Sequence, residues 1–248
     1  MHEHLRDSTE PSSPEYKPKP SAPVRRLEAH DVPVAATVLA RAFAEEPTKR
    51  ALFGDGSAAA SYFADPSTRT RFTEAAAEGR LRAALPYATS YVAEVDGTIA
   101  GVAMWYPPGV KPSQLPSAVV LPTLLTPGTR VLSLLAHVGG SLWRDRSTLR
   151  QALATRTAAT KQIGAGPSWY LAVIGTDPAY RGQGVARRLL ERILERCDVE
   201  GLPAWLETTE HSNLPLYERF GFTTVAASAA GSILPGLWVM RRTPRPQS

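Results

Sequence analysis

A chain of 248 residues, 43% hydrophobic and 21% charged, carries enough apolar material for one well-buried domain with an extension, and has the balance of a globular protein. No run approaches the ~18 uninterrupted apolar residues of a membrane span, and the opening Met-His-Glu-His-Leu-Arg-Asp lacks the apolar core of a secretory signal. A single cysteine excludes an internal disulfide and fits a reducing cytoplasm, while a net charge of +5 without any Lys/Arg run argues against a nucleic-acid surface.

In chain order, residues 1–22 hold Ser, Pro, Glu and Lys with almost nothing to bury, which predicts a disordered tail. His2 and His4 in it have no further ligands beside them, so no metal site is expected. Residues 24–29 suit a short strand. Asp31 stands as N-cap to a helix whose inward face is Val34, Ala35, Val38, Leu39, Ala42 and Phe43, ending before Pro47. Residues 54–60 form a loop, and a less regular helix follows over about 66–85, with Phe72, Ala75, Ala76 and Leu81 inward. Two runs rich in β-branched and aromatic residues, 87–95 and 98–106, flank Asp96-Gly97 and predict a hairpin.

Residues 107–167 are long for a link between adjacent strands, and 121–125, 131–143 and 147–161 each suit a helix. They are expected to be a helical insertion within a single domain, 23–243. Further on, 204–209 suits a strand, 213–220 a short helix, and 222–227 with 237–241 a closing hairpin, leaving 244–248 frayed.

Between insertion and closing elements lies the stretch with the most chemistry. Trp169 to Thr176 is a buried strand that breaks at Asp177-Pro178 and enters a helix through Arg181-Gly182-Gln183-Gly184-Val185-Ala186. Strand, glycine turn and helix N-terminus together make an anion site, because the first helical N–H groups lack internal partners and the dipole favours negative charge. In that helix Val185, Ala186, Leu189, Leu190, Ile193, Leu194 and Cys197 form one apolar stripe, which makes Cys197 a small core residue. Arg187, Arg188, Glu191, Arg192, Glu195 and Arg196 take the outer face, and Gly201 with Pro203 ends it.

Arg181-x-x-Gly184-x-Ala186 resembles the [Gln/Arg]-x-x-Gly-x-[Gly/Ala] signature of the GNAT superfamily of acyl-CoA N-acyltransferases. About thirty residues on, Asn213-Leu-Pro-Leu-Tyr217-Glu-Arg-Phe-Gly-Phe222 resembles the asparagine-to-tyrosine helix of the same family, followed by Gly-Phe and a strand. The resemblance implies an α/β (α+β) protein with the GNAT fold, a mixed, mostly antiparallel splayed sheet flanked by helices, here with a helical insertion between strands. It implies that the main chain at Ile174 and Thr176 pairs with the pantetheine arm of coenzyme A. It further implies that amides of Gly182, Gln183, Gly184, Val185 and Ala186, with Arg181, hold the pyrophosphate. Tyr217 carries over as the general acid for the departing thiolate, and Asn213 as a side-chain contact to the coenzyme. Residues 24–106 loosely, and 168–242 more closely, are similar to the puromycin N-acetyltransferase group within the superfamily, whereas 107–167 match it poorly and Ala186 stands where Gly is often found.

The expected activity is an acetyl-CoA-dependent N-acetyltransferase in which a primary amine attacks the thioester directly in a ternary complex. Its acceptor is read as a small molecule, an aminonucleoside or other antibiotic, with acetylation serving resistance or detoxification. A protein or peptide amine is the alternative acceptor, and a non-catalytic coenzyme A-binding regulator is the alternative of another class. Acetyl-CoA is the cosubstrate, with no metal, nucleic acid or membrane partner expected, in a cytoplasmic monomer or homodimer. Glu207, near the end of the strand whose splay should open the acceptor cleft, is the candidate proton acceptor, with Glu210 and His211 following in the loop and a chain of waters to solvent as the alternative. Trp105-Tyr106 and Trp169-Tyr170 lie where cleft walls should form, and strand alternation sends one of each pair to the opposite face.

Overall fold

The computed structural model describes residues 23–44, 46, 65–110, 146–163, 166–230 and 235–246. The expected tail 1–22, the loop 54–60 and the two expected helices at 121–125 and 131–143 lie outside them. Among the described residues the strands are β1 (Val24–Arg26), β2 (Ser90–Val95), β3 (Thr98–Tyr106), β4 (Trp169–Thr176), β5 (Ala204–Thr208), β6 (Phe222–Ser228) and β7 (Leu237–Arg242). The α-helices among them are α1 (Val32–Ala42), α2 (Pro66–Ala84), α3 (Arg146–Ile163), α4 (Val185–Glu200) and α5 (Leu214–Arg219). The strands form one sheet in the order β1-β2-β3-β4-β5-β7-β6, antiparallel throughout except where β4 and β5 run parallel. This is the mixed, splayed, helix-flanked sheet expected of the GNAT fold.

Local chemistry accounts for most elements. Asp96 and Gly97 both take positive φ (50° and 74°), which is what a tight two-residue hairpin between β2 and β3 requires. α4 begins at Gly184 and stops at Gly201, whose left-handed backbone lets its N–H reach the last carbonyls. Its stripe of Val185, Leu189, Leu190, Ile193, Leu194 and Cys197 is buried as expected, and burial pushes the Cys197 thiol up to about 12, an inert core residue. These residues meet Tyr91, Ala103, Trp105, Trp169, Leu171 and Leu206 in one cluster on the α4 face. α1 and α2 cover the other face of β2–β4 through Val32, Ala36, Leu39, Leu81, Val92, Val102 and Met104. α3 packs on β6 and β7, where Ala159 meets Leu237 and Val239.

Several expectations are corrected. Val34 is 51% exposed, and the inward face of α1 is Val32, Ala35, Ala36, Val38 and Leu39, because position 34 lies about 200° around the helix from position 32. Asp31 precedes α1 but makes no side-chain cap to it. Its buried carboxylate instead binds Arg25 at 2.6 and 2.8 Å and accepts the Glu28 N–H at 2.9 Å, fastening β1 to the entry of α1. Residues 87–89 are not strand: Leu85–Tyr87 is a 3-10 turn, and Ala88 takes a left-handed φ of 51°. Past β7, the Arg245 N–H donates to Asp198 at 2.7 Å. Among the described residues, no helix is long and apolar enough to cross a membrane.

Candidate active site at the split between β4 and β5

β4 and β5 pair only at Trp169↔Ala204, Tyr170↔Trp205 and Leu171↔Leu206. Beyond Leu171 the strands part, while β4 continues along β3 to Thr176↔Gly101. The β3–β4 register skips Ala172, a one-residue bulge that bends β4 where the split opens. Direction of the free backbone follows from alternation. The Asp177 N–H donates to Ala100 O on β3 at 2.9 Å, so the groups of Gly175 also point to β3, and those of Ile174 and Thr176 point into the split. That edge of β4, at Ile174 and Thr176, faces no neighbouring strand among the described residues. Thr176 Oγ1 is buried there and takes no hydrogen-bond partner among the described residues.

The strand ends in the glycine turn. The Asp177 carboxylate caps the 3-10 turn Pro178–Tyr180 by accepting the Ala179 N–H at 3.0 Å, and it holds Arg41 at 3.3 Å. Gly182 (φ 76°) and Gly184 (φ 77°) are both left-handed, the conformation that turns the chain sharply into α4 and that side chains resist. As N-cap, Gly184 brings no side chain, so the leading amides of Val185 and Ala186 have no side-chain cap. Arg181 is exposed and donates to the Ala42 carbonyl at 3.3 Å, while Gln183 is half-buried. This turn fits an anion of phosphate type through its uncapped amides, its two left-handed glycines and the arginines around it.

Sequence periodicity assigned Arg188 to the outer face, but the structure folds it back. Its Nη2 stands 3.9 Å from where a Cβ on Gly184 would be, and its Nη1 is shielded from solvent without a hydrogen-bond partner among the described residues. The spacing of four from Gly184 was the available signal, since helical side chains lean toward the N-terminus over the preceding turn.

Tyr217 on α5 is buried in the same cluster as Val185, Leu171 and Leu206, edge-on to Phe222 with centroids 6.1 Å apart. Burial pushes its phenol up to about 12, so the proton stays on at neutral pH. Asn213 precedes α5, is half-buried, and makes no side-chain cap, so its amide is not spent on the helix. Glu207 is half-buried on β5, one residue past the last β4–β5 pair.

A second carboxylate, missed in the sequence, is Glu46. Phe43 rests over Gly175 of β4, and three residues later the Glu46 carboxylate accepts the Thr209 hydroxyl just beyond β5, so this segment crosses the split. Its sequence signal was an acidic residue four positions past the end of α1, legible only once α1 is known to end over β4. Glu210 spends its carboxylate on Ser212, and His211 lies edge-on to Trp238 with centroids 5.3 Å apart.

The aromatic pairs divide as alternation requires. Trp105 and Trp169 are fully buried on the α4 face, Trp169 donating to Glu200 at 2.9 Å under Arg196. Tyr106 and Tyr170 stack on the opposite face with centroids 6.3 Å apart at 15°, and Tyr170 stacks on Trp205 at 4.0 Å and 21°. Tyr87 closes the row edge-on to Tyr106 at 5.4 Å. The row thus runs from the end of β3 to the second of the three β4–β5 pairs, one pair short of the split.

Comparison with known proteins gives independent findings. Residues 128–222 match the model of the acetyltransferase (GNAT) family. A stretch of 55 residues is 47% identical to an uncharacterized N-acetyltransferase of Schizosaccharomyces pombe, covering 22% of each chain. The match therefore spans about a fifth of that curated relative's length. Among solved structures, a histone acetyltransferase HPA2 and related acetyltransferase from Corynebacterium glutamicum superposes with a TM-score of 0.57 at 21% identity, over 92% of this chain and 99% of that one. An agmatine N-acetyltransferase gives 0.57 at 19% over 90% and 100%, and arylalkylamine N-acetyltransferase 2 from Aedes aegypti gives 0.55 at 17% over 90% and 99%. At these identities the three show a shared fold.

Proposed function

We propose, the chain being a member of the GNAT acetyltransferase superfamily, that it transfers an acetyl group from acetyl-CoA to the primary amine of a small, flat, aromatic-bearing molecule. The glycine turn holds the donor's phosphates through the amides of Gly182 to Ala186, and the open edge of β4 at Ile174 and Thr176 pairs with its pantetheine arm. One of those N–H groups polarises the thioester carbonyl as the amine attacks. The amine proton leaves to a carboxylate at the split, Glu207 on β5 or Glu46 across from it. Tyr217, kept protonated by burial, gives its proton to the sulfur as the carbon–sulfur bond breaks. The products are an amide and free coenzyme A thiol.

The single observation that carries the acceptor class is the row Tyr106, Tyr170 and Trp205 stacked one pair short of the split. Such faces favour flat groups by stacking and area burial. Likeness to the puromycin group supports an aminonucleoside as the first compound to try. Mass spectrometry of reactions with acetyl-CoA and, separately, puromycin, an arylalkylamine, agmatine, an aminoglycoside and a lysine peptide tests the reading. Acetylation of the aromatic amines with little of the others is expected. Turnover of the peptide or the polycations alone would reject the aromatic acceptor while leaving acetyl transfer intact.

A further inference from the structure

We propose that the acceptor is an aromatic primary amine that also carries an anionic group, a carboxylate or a phosphate, and that Arg241 binds that group. The inference rests on the reading of an aromatic acceptor given above and narrows the acceptor within it. Its first support is the register of the sheet. Tyr106↔Tyr170, Tyr170↔Trp205, Trp205↔Arg241 and Arg241↔Thr223 are successive cross-strand partners, so these five side chains stand abreast on one face. Direct partners in a sheet point to the same side, with Cβ atoms about 4.5–5.5 Å apart. The aromatic row that takes the acceptor's ring therefore continues, one strand on, into a guanidinium.

The second support is the state of that guanidinium. Arg241 is half-buried, and its Nε is shielded from solvent without a hydrogen-bond partner among the described residues. A charged donor removed from water without an acceptor is costly, and an anion lying against it removes that cost. The next residue shows the contrast. Arg242 points to the opposite face, its terminal nitrogens on Asp198 at 2.7 Å and its Nε on the Phe220 carbonyl at 2.8 Å. At the far end of the row stands a second cation: burial raises the Tyr106 phenol, and the positive charge of Arg80 on α2 opposes that rise. A row with a cation at either end attracts an acid and repels polycations.

The third support is spacing. Glu207 lies two residues along β5 from Trp205 and shares its face, and it pairs with Val239, two residues before Arg241. Glu207 and Arg241 are thus diagonal neighbours, about 7–8 Å apart. A single ring bearing an aminomethyl group at one end and an acid at the other has a comparable span. The amine then meets the carboxylate at the split, the ring meets Trp205, and the acid meets Arg241. A guanidinium offers two parallel donors that match two oxygens of a carboxylate or phosphate. Arg241 therefore sets specificity at the end of the acceptor remote from the reacting nitrogen.

The test measures kcat/KM with acetyl-CoA for four amines: para-(aminomethyl)benzoate, para-(aminomethyl)phenyl phosphate, the neutral-ring analogue para-methylbenzylamine and the dication para-xylylenediamine. In the parent, one or both acids should exceed para-methylbenzylamine by about 10–100-fold, the range for a charge-assisted contact, and the better acid identifies the anion. The dication should be the poorest of the four. Arg241→Met and Arg241→Lys are each checked for an unchanged thermal transition. Arg241→Met should abolish the preference for the acid, mainly through KM, and leave para-methylbenzylamine as good as in the parent. Arg241→Lys should recover part of the preference. A parent that uses neither acid better than para-methylbenzylamine would overturn the inference without any variant. An equal loss on all four amines in Arg241→Met would overturn it too, since that is the mark of a structural role. Turnover of none of these amines by the parent would overturn the aromatic-acceptor reading itself, and the inference with it.

Discussion

Gly101 of β3 and Val185 of α4 meet with no side chain between them: a Cβ on Gly101 would overlap Val185 Cγ1 and stand 3.1 Å from Leu189 Cδ1. One position along the neighbouring strand, Gly175 does the same for α1, where a Cβ would come within 2.9 Å of Leu39 Cδ2. These two close approaches set the helix that starts at the anion site and the helix that ends over the split. Gly101→Ala should cost about 1–3 kcal/mol as overpacking and push the first turn of α4 off the sheet. A lower melting temperature with weaker coenzyme A binding is expected. Gly79→Ala, in open space within α2, should be neutral or stabilising by about 0.4–1 kcal/mol. Equal melting temperatures in the two variants would contradict this account of the packing.

Tyr217→Phe keeps the buried ring and removes only the proton. kcat should fall about 10²–10⁴-fold with coenzyme A affinity nearly unchanged. The sign of the pH effect follows from the raised phenol: a group that ionises near about 12 remains the acid form throughout ordinary assay conditions. The parent rate should thus show no alkaline loss attributable to Tyr217 below about pH 10, the free phenol value. A parent enzyme whose rate falls earlier through a tyrosine ionisation, followed by ultraviolet titration, would contradict the burial.

The two carboxylates at the split separate by kinetics. Of Glu46→Gln and Glu207→Gln, the one that removes the proton acceptor should lower kcat about 10²–10⁴-fold. The other should raise KM for the amine with kcat retained. Parental kcat in both variants would take carboxylate catalysis out of the mechanism.

Asp198 and Arg242 link the end of α4 to β7. Both guanidinium nitrogens of Arg242, which is 2% exposed, lie 2.7 Å from the Asp198 carboxylate, and Arg242 Nε donates to Phe220 O at 2.8 Å. Arg242 holds the Asp198 carboxyl below its ordinary 3.8, against the opposing pull of burial. A depressed carboxyl contributes stability that is complete above its unfolded value and is lost as pH falls through the folded one. Asp198→Asn strands a buried guanidinium and should cost about 3–5 kcal/mol near neutrality. Urea unfolding should show that gap narrowing below about pH 4 as the parent loses the same pair.

How much of this was legible in the sequence varies with the range of the interaction. α4, the hairpin at Asp96-Gly97 and the strand into the glycine turn were readable because each is set by neighbours within a few residues. Val34 and Asp31 were misassigned because the inward side of a short helix rich in Ala and Val, and the partner of a cap residue, depend on what lies opposite: here the sheet and Arg25. The return of Arg188 over Gly184, the reach of Glu46 to Thr209 and the joining of Tyr87 and Trp205 to the tyrosine row depend on tertiary placement for the same reason. Glu46 meets Thr209 across 163 residues, and Tyr170 meets Trp205 only because β4 and β5 pair in parallel.

If the split and the glycine turn form one acetyl-transfer site, both products must appear together, and their coupled measurement is the decisive experiment. Coenzyme A thiol release should be followed alongside isotopically labelled amide formation, from labelled acetyl-CoA and an aromatic primary amine. One thiol should be released for each amide formed, both abolished when the amine is omitted and both reduced together in Tyr217→Phe. Tight acetyl-CoA binding with no thiol released across the whole amine panel would contradict a single acetyl-transfer site.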